Sequence, residues 1–66
     1  MSVARVTEIS AVSSESFEAA IRDGIARANQ TLRNLESAWV KDMNVMISDG
    51  DITGYKVNLA ITFVLE

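Results

Sequence analysis

"ISDGDITGYKVNLAITFVLE", residues 47–66, decides how this chain folds. From Tyr55 onward every second residue is large and apolar: Tyr55, Val57, Leu59, Ile61, Phe63 and Leu65. Side chains alternate across a strand, so these share one face, while Lys56, Asn58, Ala60, Thr62 and Val64 share the other. The apolar face demands a cover. Upstream, Asp49-Gly50 sits between two strand-like runs, the signature of a two-residue type I′ hairpin turn, in which both central residues need positive φ. This predicts strands over 37–48 and 51–65. Ser48 pairs with Asp51 and partner numbers sum to 99. Trp39 then faces Ala60, Lys41 faces Asn58 and Met43 faces Lys56. Ala38 and Val40, opposite Ile61 and Leu59, join the apolar face. Asp42 and Asn44 interrupt that row, which suggests a β-bulge near them.

Working outward, the cover is a helix. Phe17, Ile21, Ile25, Ala28 and Leu32 recur at helical spacing and make one apolar stripe. The predicted helix runs over 14–33, with Ser13 as N-cap, Glu15 in the first turn and Arg33 in the last. Glu18–Arg22 and Asp23–Arg27 have i,i+4 spacing for ion pairs on its wet side. Gly24 inside the stripe allows another backbone to come close. Before the helix, "VARVTEISA", residues 3–11, reads as a strand with neither face purely polar. The fold class is therefore α+β: a β-α-β-β subunit, a three-stranded antiparallel sheet with one helix packed on one face, forming a single domain over 1–66.

The totals narrow the function. A chain of 66 residues buries a marginal core and usually needs a staple. It has no Cys and no His, which removes disulfides, the usual metal ligands and the commonest general base. A hairpin of 12-residue strands, about 40 Å long, outreaches a helix of about 28 Å. Met43, Val45, Met46 and Ile47 then lie where the chain's own helix does not reach. Size and pattern both point to self-association. The net charge of −3 disfavours nucleic acid, and no apolar run is long enough to span a membrane. "MSVARVTEIS" lacks the apolar stretch of a secretory signal, so the expected location is the cytoplasm.

Three stretches together carry a family likeness: "SSESFEAAI…GIARA" at 13–28, "TLRNL" at 31–35, and Y-x-V-x-L-x-I-x-F-x-L-E at 55–66. With them the chain resembles the dodecins, small flavin-binding proteins that assemble twelve subunits into a hollow shell. The resemblance implies a homododecamer with ligand sites between subunits. There a flavin (riboflavin, FMN or FAD) is sandwiched between tryptophans and stored rather than turned over. Some bacterial members are also associated with coenzyme A. The family's tryptophan falls at Ser37 here; the only tryptophan of this chain is two residues later, at Trp39. The family's glutamine after the third-strand tyrosine is Lys56.

The candidate ligand contacts are Trp39, Ser37, Lys41, Lys56, Asn58 and Ala60, with no catalytic and no metal residue. Trp39 opposite a small alanine leaves a flat ring open for stacking. The same indole could instead fill a subunit interface. Lys41 and Lys56 could meet a phosphate, or stand as solvated or paired charges. Asp49 and Asp51 flank a turn and lack the further ligands of a calcium loop. Glu8, on the first strand, has no second group at a catalytic spacing, and a structural ion pair is its simpler role.

Overall fold

The computed structural model describes residues 3–65; Met1, Ser2 and Glu66, which end the expected domain, lie outside the described residues. The elements are β1 (Val3–Ser13), α1 (Phe17–Thr31), β2 (Leu35–Ser48) and β3 (Asp51–Leu65). They form one antiparallel sheet in the order β1-β3-β2. The β-α-β-β expectation holds. The strand with the cleanest alternation is the central one, whose Val57, Leu59 and Ile61 are buried on the helix face.

Asp49 and Gly50 both have positive φ, at 51° and 80°, as the type I′ turn requires. Pairing sums to 99 at Ser48–Asp51 and Ile47–Ile52, and again at Val40–Leu59, Trp39–Ala60, Ala38–Ile61 and Ser37–Thr62. Between these stretches it shifts by one. Asp42 pairs with Asn58, Met43 with Val57 and Asn44 with Lys56. Two expected pairs, Lys41–Asn58 and Met43–Lys56, are therefore corrected. The cause is an extra residue on each strand: Lys41 bulges out of β2 and Thr53 out of β3, and the two offsets cancel. A third bulge lies at Glu36.

The helix starts later than the sequence suggested. β1 continues through Val12 and Ser13, which pair with Lys56 and Tyr55. Ser13 caps nothing; its Oγ accepts from the Glu15 N–H two residues on. The N-cap is Ser16, whose Oγ accepts from the Ala19 N–H at 3.0 Å. The helix also ends sooner, at Thr31, so Arg33 is outside its last turn. Leu32 is extended, with its N–H donating to Ala28 O. Asn34 then takes a positive φ of 61°, a conformation asparagine tolerates. β2 begins at Leu35 rather than 37. Ser16→Ala is expected to lower stability by about 1 kcal/mol, the usual cost of losing a cap. Thermal midpoints at fixed protein concentration check this; Ser13 would be the cap after all if Ser16→Ala were silent.

α1 packs mainly on β1 and β3, and β2 adds only Leu35 and Val40 to the edge of the core. The helix face in the core is centred on Ala20, Gly24 and Ala28, with Phe17, Ile21 and Leu32 beside them. Ile25, expected in that stripe, is exposed. Small residues at the centre let the helix sit close. A Cβ on Gly24 would stand 3.1 Å from Ala11 Cβ and 3.3 Å from Leu59 Cδ1. Beneath lie Val57, Leu59 and Ile61 of β3, each at most 1% exposed. Phe17 meets Tyr55 edge to face at 5.1 Å. Glu18 and Arg22 pair at 2.9 Å on the wet side; among the described residues Asp23 and Arg27 do not. The result is a slab 51 × 19 × 13 Å whose hairpin overhangs its helix. Met43, Met46, Ile47 and Ile52 are exposed on the overhang, while Val45, opposite Tyr55, is half-buried.

Candidate functional site

The pairings divide the sheet into a helix face and a bare face. On β1 the even residues Val6, Glu8, Ser10 and Val12 lie on the bare face, because they pair with the even residues of β3. Rows of three cross it from β1 to β2: Val6–Thr62–Ser37, Glu8–Ala60–Trp39, Ser10–Asn58–Asp42 and Val12–Lys56–Asn44. Trp39 stands on this face 68% exposed, while its neighbour Ala60 is 8% exposed. An indole above a buried methyl is a flat wall with open space beside it.

The bulge at Lys41 shapes the same face. In a regular strand, residue 41 would share the side of Trp39 and residue 42 would point toward the helix. With the extra residue present, both reach the side of Trp39. Lys41 Nζ stands 2.9 Å from Glu8 Oε2, spanning from β2 to β1 across the central strand. Glu8 is thus the ion-pair partner that its simpler role required, and its side chain is 63% exposed. At this exposure the pair contributes less than about 1 kcal/mol. Asp42 accepts a hydrogen bond from Asn58 Nδ2, and Ser10 Oγ donates to Asn58 Oδ1. In the alternation of β2 Asp42 interrupts the apolar row; the bulge moves it to the other face and gives it a place here. Ser10 was visible only as one residue of a strand.

The six candidate residues are not all together. Ser37, Trp39 and Ala60 occupy adjoining rows, with Lys41 beside them through its reach to Glu8. Asn58 is one row further along β3. Lys56 is four residues from Ala60, about 13 Å along the strand, and among the described residues it makes no ion pair. A groove of about 560 Å³ lies elsewhere, between α1 and β1, lined by Thr7, Ile9, Gly24 and Ala28 among others. A smaller one of about 180 Å³ reaches Ser37 and Ala38 from the helix side. Trp39 lines neither. One copy of the chain offers a wall, and a pocket at Trp39 needs a second wall.

A family model described as Dodecin matches residues 3–66. The dodecin of Thermus thermophilus is 38% identical over 64 residues, covering 97% of this chain and 93% of the relative. Among solved structures, dodecin from Streptomyces davaonensis superposes with a TM-score of 0.94 at 38% identity, covering 98% of this chain and 96% of that one. A calcium dodecin from Mycobacterium tuberculosis, described as calcium-chelating with a novel calcium-binding site, superposes at 0.84. It is 25% identical and covers 97% of this chain and 91% of that one.

Proposed function

The chain belongs to the dodecin family, and we propose that it assembles as a homododecamer that binds and stores a flavin between subunits, stacked on Trp39. The observation that carries this reading is the bare indole beside buried Ala60. An isolated subunit has no use for so large an apolar side chain held in water. Two such faces brought together by symmetry would enclose a slot walled by two indoles.

The residues present suit a flavin. Trp39 supplies a π-face, Ala60 leaves room, and Ser37, Thr62 and Asn58 supply hydrogen-bonding groups on the same surface. Lys56 stands away from the ring platform and among the described residues makes no ion pair, which suits it to the phosphate at the end of a side chain. FMN, FAD and coenzyme A share that chemistry, and a lysine meets it as a point charge. When bound, the flavin supplies the absorption of visible light, and an indole in contact with it quenches its excited state. The protein's part is to bind, to exclude water and to hold the ring still. On the bare face the Glu8 carboxylate and the Lys41 ammonium are occupied with each other.

Two departures favour a second reading, a shell that has lost flavin affinity. Ser37 stands where the family's tryptophan is expected, and Lys56 where its glutamine is. Titration separates the two. Purified protein added to riboflavin or FMN is expected to quench flavin fluorescence to an end point of one flavin or fewer per subunit. Light scattering in parallel is expected to report a single assembly of about twelve subunits. No quenching by an intact assembly would leave the empty shell.

A further inference from the structure

We propose that Asn58 reads the imide edge of the bound ring, and that Asp42 and Ser10 fix the orientation in which it does so. This rests on the flavin reading above and adds the group that selects among flat heterocycles. Asn58 lies in the middle of a hydrogen-bonded row across all three strands, from Ser10 on β1 to Asp42 on β2. An ionised carboxylate only accepts, so the amide atom facing Asp42 must be the NH2 group. The carbonyl then faces β1, where the Ser10 hydroxyl donates to it. Swapping the two amide atoms would set an oxygen against a carboxylate oxygen, so the row admits one orientation.

Each amide atom keeps one unused capacity: a second N–H on Nδ2 and a second lone pair on Oδ1. The lateral directions, toward the two neighbouring strands, are taken. What remains is a donor and an acceptor side by side, aimed away from the sheet. Asn58 is on the face of Trp39, two residues along β3 from Ala60, about 7 Å. A ring stacked on the indole stands over Ala60, and its lower edge comes to Asn58.

The complement of that amide is a ring N–H beside a ring C=O. The pyrimidine part of a flavin carries that pattern, N3–H between two carbonyls. The other polar groups nearby do not choose. Ser37 and Thr62 hydroxyls rotate to donate or accept, and Lys41 is held by Glu8. Asn58 is a polar side chain of fixed sense.

The test compares riboflavin with 3-methylriboflavin, which stacks as well but has lost the N3 donor. Both are titrated against the assembled protein by flavin fluorescence. The methylated ligand is expected to bind about ten- to hundred-fold more weakly, the range of a lost bidentate edge contact. The ratio is expected to collapse toward one in Asn58→Leu and to shrink in Asp42→Asn, whose side chain can donate as well as accept. Light scattering confirms that each variant is still assembled. Equal binding of the two ligands by the unaltered protein would overturn the assignment and leave the flavin reading standing. So would a ratio that survives Asn58→Leu. If neither ligand binds, the flavin reading falls and this inference with it.

Discussion

Trp39→Ala is expected to weaken riboflavin binding by about thirty-fold if one indole face meets the ring, and by about a thousand-fold if two do. An aromatic side chain stacked on a heterocycle contributes about 1–3 kcal/mol by alanine substitution, and 1.4 kcal/mol is a factor of ten. Taking about 2 kcal/mol per face gives the first figure. Because every subunit carries the substitution, a ring held between two copies loses both faces and gives the second. The size of the loss thus reports how many copies touch one ligand. Trp39→Phe keeps an aromatic face of smaller area and is expected to fall between. Since Trp39 is exposed and on the face opposite Val57, Leu59 and Ile61, the isolated subunit fold is not expected to depend on it. The measurement is a fluorescence titration, with assembly size followed by light scattering. An unchanged titration in an intact assembly would remove Trp39 from the site.

Leu59→Ala is expected to unfold the subunit at room temperature unless the protein is concentrated. Leu59 is fully buried on the central strand, directly under Gly24. Truncating a buried leucine costs about 2–5 kcal/mol, because the lost methyl groups leave a cavity that neighbours only partly fill. A core in a chain this short supplies roughly 3–5 kcal/mol in all. The substitution therefore consumes most of the subunit's own stability. What folding persists would come from association, and would fall on dilution. Far-UV circular dichroism at two protein concentrations tests this, with Leu65→Ala, at an exposed position, as the near-silent control. A midpoint lowered by only a few degrees, and independent of concentration, would contradict it.

The fold was largely legible because β3 states it twice, once in its alternation and once in the turn that precedes it. Tyr55 to Leu65 fixes which side is covered, and Asp49-Gly50 fixes where the hairpin folds back. The helix ends were less legible. Ser13 and Ser16 have the same side chain and both precede apolar residues. What separates them is a tertiary fact, the pairing of Val12 and Ser13 with β3, which propensity does not contain. Ile25 fits the periodic stripe, but the helix lies mainly over β1 and β3, and a stripe read from spacing does not say which strands it will cover.

The candidate site was legible in its anchor and not in its surroundings. Trp39 opposite Ala60 follows from counting back from the turn, and it survives because two bulges of opposite effect lie between turn and tryptophan. The same bulges defeat the count for the residues between them. Asp42 takes the place opposite Asn58 expected of Lys41 for that reason, and the hydrogen-bonded row through Asn58 could not be foreseen without it. A short-range pattern marks a bulge only by a break in alternation, here Asp42 and Asn44 in an otherwise apolar row.

Glu36, Lys41 and Thr53 are supernumerary to the ladder. Removing one residue from a regular strand turns every later side chain to the opposite surface. Removing any of these three turns none: Val40 and Asp42 already pair with consecutive residues of β3, as do Leu35 and Ser37, while Gly54 and Ile52 already pair with consecutive residues of β2. The long hairpin therefore has three places where a single-residue deletion changes its length and twist yet leaves inside and outside where they were.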